Sequence, residues 1–172
     1  MGFLADDGVV GLRPLDVPDL AAHVAGCDAL IVDRLSGGQV APPERVREWL
    51  AGNAAAWASC GPVVDLGVVD VASGELAGVV GIQRGLGHLR DGEVNLTYAV
   101  YPPWRGRGVA TRAVVLATAV ATDHGPEVTR FVIRAAPDNA ESLSVGRRAG
   151  FTDAGETDDE HGHLVWLARR PG

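Results

Sequence analysis

One stretch constrains this chain more than any other: Glu93 to Thr111, which reads E-V-N-L-T-Y-A-V-Y-P-P-W-R-G-R-G-V-A-T. Val94, Leu96, Tyr98 and Val100 alternate with Glu93, Asn95, Thr97 and Ala99, which predicts a strand with two distinct faces. From about residue 107 to 123 the apolar positions Val109, Ala113, Leu116, Ala117 and Val120 recur at helical spacing. Between strand and helix lies a turn carrying Gly106 and Gly108. The first amides of a helix have no partner within it, and missing Cβ atoms let an anion come close to them. A pyrophosphate suits such a corner, helped by the helix dipole and by Arg105 and Arg107. The plain alternative is a glycine-rich β–α turn that binds nothing.

Two rival phosphate motifs fit badly. The P-loop needs a lysine, and every one of the 15 cationic residues here is arginine. The dinucleotide fingerprint needs glycine or alanine at the sixth position from Gly106, where Thr111 stands, and its strand should open a parallel unit.

The rest of the chain supplies the frame. Val9–Pro14 reads as a strand, and Asp16 as the cap of a helix running to roughly Ala25. Residues 35–41 read as a loop, and Pro42-Pro43 starts a second helix with Val46, Trp49, Leu50 and Trp57 on one face. Val63–Val71 and Leu76–Gln83 form a hairpin around Ser73-Gly74, and residues 84–92 a second loop. After the long helix come a strand over Val128–Ala135, a helix opened by Pro137-Asp138-Asn139 and ended by Gly150, and strands over Phe151–Glu156 and His163–Ala168. That order predicts a mixed α/β (α+β) layer fold with helices on both faces of one sheet.

Charge and cysteines exclude several functions. The net charge of −7, with no basic run, makes a poor nucleic-acid binder. Cys27 and Cys60 lack metal spacing and are expected to pack as small hydrophobes in a reducing compartment. Residues Met1–Val10 lack the pattern of a signal peptide, Met-Gly lacks the rest of a myristoylation motif, and Ala113–Ala121 is too short to span a bilayer. A cytoplasmic protein with no membrane partner is the expectation, built as one domain over 1–172. His161 and His163 fall on one strand face but lack further ligands for zinc, and Asp158-Asp159-Glu160 reads as a wet loop or a cation-facing cleft wall. Trp49, Trp57 and Trp166 read as packing, and Trp104 as a shield or brace beside the glycine turn.

Arg105-Gly106-Arg107-Gly108-Val109-Ala110 matches the [QR]-x-x-G-x-[GA] signature of the GCN5-related N-acetyltransferases, the GNAT family. Gly11–Asp16 (G-L-R-P-L-D) resembles the opening of the subgroup that acetylates ribosomal-protein N-termini, and Asn139–Phe151 resembles that subgroup's N-x-x-S helix ending in Gly-Phe. The resemblance implies a mostly antiparallel central sheet of about six or seven strands, flanked by about four helices and splayed between the fourth and fifth strands. It implies acetyl-CoA as cosubstrate with no metal, and an amine-bearing substrate as partner. Members of that subgroup often dimerise, which leaves a homodimer open here.

By resemblance, Arg105, Gly106, Arg107, Gly108, Val109, Ala110 and Thr111 would hold the pyrophosphate. Backbone near Ala99 and Val100 would pair with pantetheine and polarise the thioester carbonyl, and Asn139 would reach its side. Arg147 and Arg148 read as solvated helix face rather than nucleotide contacts. Many relatives use a tyrosine as proton donor to the thiolate, but Gly146 stands at that position, so the donor role falls on Ser142. A helix-start serine also serves simply as a cap. Glu93 is the candidate general base, with a surface charge as its plain alternative.

An α-amine, with a reference pKa near ~8, is about one-tenth neutral at pH 7, whereas a lysine amine is neutral at roughly one part in a few thousand. A weakly assisted site therefore favours a peptide or protein N-terminus as acceptor over other amines. A small-molecule amine or aminoglycoside is the alternative acceptor. A non-catalytic acyl-CoA-binding module is the alternative of another class, kept open by Gly146. Residues 28–45 and 84–92 are expected to wall the acceptor cleft.

Overall fold

The computed structural model describes residues 2–159 and 162–172. His161 and Glu160 of the sequence reading lie outside the described residues. Eight strands form one sheet in the order β1-β2-β3-β4-β5-β6-β8-β7. They are β1 (Ala5–Asp6), β2 (Val10–Pro14), β3 (Val63–Asp70), β4 (Leu76–Gln83), β5 (Glu93–Val100), β6 (Arg130–Ala135), β7 (Thr152–Asp159) and β8 (Gly162–Arg169). All neighbours pair antiparallel except β5 and β6. The helices are α1 (Leu20–Gly26), α2 (Ala29–Ser36), α3 (Pro43–Ala58), α4 (Val109–Asp123) and α5 (Ala140–Arg148). The mixed sheet with helices on both faces agrees with the sequence reading. The strand β1 and the helix α2 are additional to it.

Two apolar clusters show how the sheet is clad. Val94, Leu96, Tyr98 and Val100 of β5 pack in a core with Val109, Ala113, Val114, Ala117 and Val120 of α4 and Leu143 of α5. Ala99 and Tyr101 pack on the other face with Ile31 of α2 and Val46 and Leu50 of α3. The alternation of β5 is therefore unbroken. The bulges fall elsewhere, at Val68/Val69 and Asp153/Gly155. Helix α2 exists because Asp28 accepts a hydrogen bond from the Ile31 amide at its start, and Gly37, with φ 58°, ends it in the left-handed conformation.

A buried ion pair joins β2 to the turn before α1. Arg13 Nη1 donates to Asp19 Oδ2 at 2.7 Å and Nη2 donates to Oδ1 at 2.5 Å, and the Asp16 amide donates to Oδ2 at 3.1 Å. Burial pushes the Asp19 carboxyl up, but the Arg13 fork and the Asp16 amide outweigh it and hold it below the usual carboxylate range. A depressed folded-state pKa adds stability at neutral pH that is lost as pH falls through that value. Arg13→Ala leaves this carboxylate buried and unpaired, at an expected cost of about 3–5 kcal/mol in urea unfolding at pH 7. The gap between variant and parent should narrow on acidification below about pH 4, where the unfolded carboxylate also takes up its proton.

Candidate active site

The parallel ladder between β5 and β6 holds only three residue pairs, Glu93↔Arg130, Val94↔Phe131 and Asn95↔Val132. Beyond Asn95 the strands part. The main-chain directions on β5 follow from two contacts at its ends. The Tyr101 amide donates to Ala77 of β4 at 2.9 Å, so odd-numbered residues turn their main chain to β4. The Gly92 carbonyl accepts from Thr129 at 2.9 Å, so even-numbered residues turn theirs to β6. The carbonyl and amide of Tyr98 and the amide of Val100 thus face the opening with no ladder partner. Ala99, named beside Val100 from the sequence, is turned to β4 instead: a Cβ on Gly78 would collide with its carbonyl. Val100 stands where the resemblance placed it, although its carbonyl accepts from Arg105 Nε at 2.9 Å.

The opening leads to the glycine turn. Gly106 and Gly108 both have positive φ, 72° and 76°. Nothing lies within 4 Å of where either Cβ would stand. Gly108 caps α4 without any side-chain bond, so the amides of Val109, Ala110 and Thr111 begin the helix in open space. The two arginines serve the protein as well. Arg105 Nη1 and Nη2 donate to Asp28 Oδ2 at 2.7 Å and Oδ1 at 2.9 Å, and its guanidinium holds that carboxyl below its usual range. Arg107 lies over the Trp104 ring, 5.4 Å from its centroid, so Trp104 braces the loop. On the far side of the opening Arg34 of α2 donates twice to Asp138, at 3.0 and 3.2 Å. Helix α2 therefore bridges the diverging strands, tied by an arginine–aspartate fork on each side.

Ser142 sits at the wall formed by α5. Asn139 caps that helix by accepting from the Ser142 amide at 3.1 Å, so its Oδ1 is engaged and Nδ2 is the group left to reach outward. The capping role thus belongs to Asn139. The Ser142 hydroxyl instead lies 2.8 Å from the Tyr98 hydroxyl, which also donates to the Ser142 carbonyl at 2.8 Å. Burial pushes the Tyr98 phenol up, so it keeps its proton at neutral pH. Sequence reasoning assigned Tyr98 only to the apolar face; the signal it carried was a phenol that needs a polar partner when buried. Gly146 has a packing reason: a Cβ there would stand 2.5 Å from Leu167 Cδ1, so no tyrosine fits.

Glu93 is buried at the foot of the opening. Arg130 Nη1 donates to its Oε1 at 3.1 Å, and the Arg90 amide to its Oε2 at 3.1 Å. Each oxygen of the candidate base thus accepts one hydrogen bond that holds the β5–β6 junction, and Glu93 is not the exposed surface charge of the plain alternative.

On the face covered by α1 and α3 a polar group was overlooked. Asp65 of β3 accepts from Trp49 Nε1 at 3.2 Å. Asn53, buried in α3, accepts from the Asp65 amide at 2.5 Å and donates to its carbonyl at 2.7 Å. His23 of α1 packs on Trp49 with ring centroids 5.0 Å apart, and its Nδ1 lies 2.8 Å from the Tyr101 hydroxyl. Burial pushes the His23 pKa down. Cys27 is half-buried beside His23 Nε2 at 3.5 Å, whereas Cys60 is exposed. Elsewhere, Arg147 pairs with Asp153 on the surface. His163 is engaged by Asp158 and Glu156 of β7, which raise its pKa. No cluster of three metal-ligating side chains occurs among the described residues, and no helix among them is long and apolar enough to cross a membrane.

A family model described as the acetyltransferase (GNAT) domain matches residues 10–152. Among solved structures, RimL, a ribosomal L7/L12 alpha-N-protein acetyltransferase in complex with coenzyme A, is 20% identical, with a TM-score of 0.83 over 98% of both chains. A GNAT-family acetyltransferase from Bacillus anthracis is 15% identical, with a TM-score of 0.80 over 99% of both chains. The acetyltransferase AAC(6')-Ib, in complex with paromomycin and acetyl-CoA, is 21% identical, with a TM-score of 0.78 over 94% of this chain and 93% of its own. No curated protein sequence matches. The packing of Gly146 gives a direct check: Gly146→Ala should cost about 1–3 kcal/mol in thermal unfolding, through overpacking against Leu167.

Proposed function

This chain belongs to the GNAT acetyltransferase family, and from that premise we propose that it transfers an acetyl group from acetyl-CoA to a primary amine by direct attack on the thioester, the preferred acceptor being a peptide or protein N-terminal α-amine. The observation that carries the reading is the strand opening that runs from the β5–β6 junction to a helix start bared by two glycines. An extended amide-containing arm fits the unpaired main chain of Tyr98 and Val100 as an added strand. The amides of Val109, Ala110 and Thr111 suit a pyrophosphate, with Arg107 beside them. Arg105 acts mainly by fixing the loop to Asp28.

Acetyl-CoA supplies an activated acyl group in the form of a thioester. The Val100 amide, pointing into the opening, is placed to polarise the carbonyl. The Ser142 hydroxyl delivers a proton to the departing sulfur, and the Tyr98 phenol holds that hydroxyl in place. Asn139 fixes the turn that carries Ser142 and offers its Nδ2 to the arm. The engagement of Glu93 by Arg130 favours an acceptor that needs little help in losing its proton, as an α-amine does. RimL, which is an alpha-N-protein acetyltransferase, has a similar fold. The fold of AAC(6')-Ib, seen with an aminoglycoside, supports a small-molecule amine or aminoglycoside as the second reading. One domain spanning the chain and a cytoplasmic setting belong to this proposal.

Release of CoA thiol should be measured with three acceptors: a serine-initiated peptide, the same peptide N-terminally blocked but carrying a lysine, and kanamycin. The free α-amine should give the highest kcat/KM; a preference for kanamycin would overturn the acceptor assignment, and silence with all three would overturn catalysis. Ser142→Ala should lower kcat by about 10²-fold, the lower range for a positioned proton donor, with CoA affinity little changed. Gly108→Val should weaken CoA binding in calorimetry by about tenfold or more, equivalent to ~1.4 kcal/mol. A side chain there is strained at φ 76° even though the space around it is open.

A further inference from the structure

Position 81 lies in a central strand, where glycine costs roughly 0.5–1 kcal/mol relative to alanine. Its φ is ordinary, so the reason is space. Asp65, Gly81 and Thr97 are register partners across β3, β4 and β5. A Cβ on Gly81 would stand 2.6 Å from Asp65 Oδ1 and in collision with Thr97 Oγ1. The two oxygens converge over the bare glycine, on the face opposite Tyr98 and Ser142. Thr97 stands two residues beyond Asn95, the last residue of β5 paired with β6, so of the three it is the one on the strand that edges the opening.

Asp65 is held at its main chain and at one carboxylate oxygen. Asn53 clamps its main chain where β2 has already ended, since Pro14 pairs with Leu66 and no β2 residue faces Asp65. The Trp49 indole takes Oδ2. Among the described residues no donor reaches Oδ1, although Asp65, Trp49 and Thr97 are all half-buried rather than sealed. A largely desolvated carboxylate with one oxygen left without a donor is costly unless a cation or a proton completes it.

We infer that Asp65 receives the ammonium group of the acceptor on its Oδ1 and removes one proton, with Thr97 Oγ1 as the neighbouring acceptor of a second N–H and Trp49 as the positioning residue. The inference rests on the acetyltransferase reading and adds to it a base other than Glu93, whose two oxygens are already hydrogen-bonded. The protons balance. Asp65 takes one from R–NH3⁺, and the freed lone pair forms the N–C bond as the C–S bond breaks. The sulfur leaves with the electron pair of that bond and gains a proton through Ser142. The second proton of the nitrogen passes by way of solvent to Ser142, replacing the one given to the sulfur; the amide keeps the third, and the proton on Asp65 returns to solvent before the next turnover.

Burial pushes the Asp65 carboxyl up and the Trp49 indole pulls it partly back. The groups that touch it carry no charge: Gly81 from β4, Thr97 from β5, and Trp49 and Asn53 from α3, with His23 of α1, kept neutral by burial, beyond Trp49; the nearest charges are Arg13 of β2, beside Gly67 on the same face, and Asp19, which are paired with each other. The acid limb of kcat/KM should therefore lie above the ordinary carboxylate range and report Asp65.

The test compares the full-length protein with Asp65→Asn and Thr97→Val, using the serine-initiated peptide and kanamycin as acceptors. Asp65→Asn should lower kcat by about 10²-fold or more and abolish the acid limb. It should leave CoA affinity unchanged and thermal stability equal or higher, because a buried charge has gone. Thr97→Val should raise the acceptor KM with CoA affinity intact, and it reads the same pocket should Asp65→Asn not fold. Trp49→Phe should move the acid limb to higher pH. An inert parent enzyme would overturn the proposed function itself. An active parent with Asp65→Asn within twofold of it, or with an unaltered pH profile, would overturn this inference alone.

Discussion

Everything at the centre of this molecule depends on how short the parallel pairing between β5 and β6 is. A sheet gains by extending its ladders, yet this one stops after Asn95↔Val132. The Glu93–Arg130 ion pair pins the closed end. Past it, β6 continues to pair with β8 through Ala135, while β5 stays with β4. The strands are thus pulled apart by their other neighbours, and the unpaired edge of β5 is stable only because it faces a cleft. The glycine turn continues that edge into α4, so a row of unpartnered amides runs from strand to helix.

The two faces of β5 divide the chemistry. Tyr98 points toward α5 and meets Ser142; Thr97 points the other way and meets Asp65 across Gly81. One residue's change in side brings the proposed proton donor to one flank of the opening and the proposed proton acceptor to the other. A transfer reaction that must both deprotonate a nucleophile and protonate a leaving group needs that separation, since the two groups would neutralise each other in direct contact.

Much of this was legible beforehand. The limits of β4 and β5, the alternation along β5, and the turn at Gly106 and Gly108 followed from local pattern. Helix α2 was missed because only Cys27 and Asp28 separate it from α1, and Asp28 was not recognised as a cap. The Tyr98–Ser142 pair was out of reach since the residues lie 44 apart in sequence and on different elements. Glu93 looked like a base because its type and place suited one; that Arg130 would take it depends on the parallel register. Asp65 was visible only as a break in an apolar run, and its meaning required knowing that Gly81 stands beside it. In each case the missing information was pairing between strands, which a sequence read along its length does not contain.

The carboxylate of Asp28 answers to two masters. Its Oδ1 accepts the Ile31 amide that starts α2 and also one arm of Arg105, while Oδ2 takes the other arm. Arg105 in turn holds the last carbonyl of β5 through Nε. A planar guanidinium spends three donors here in fixed directions, which a lysine ammonium has no means to copy. The near side of the doorway is thus fixed by one planar group, and any anion that drew Arg105 away would loosen the first turn of α2 in the same motion.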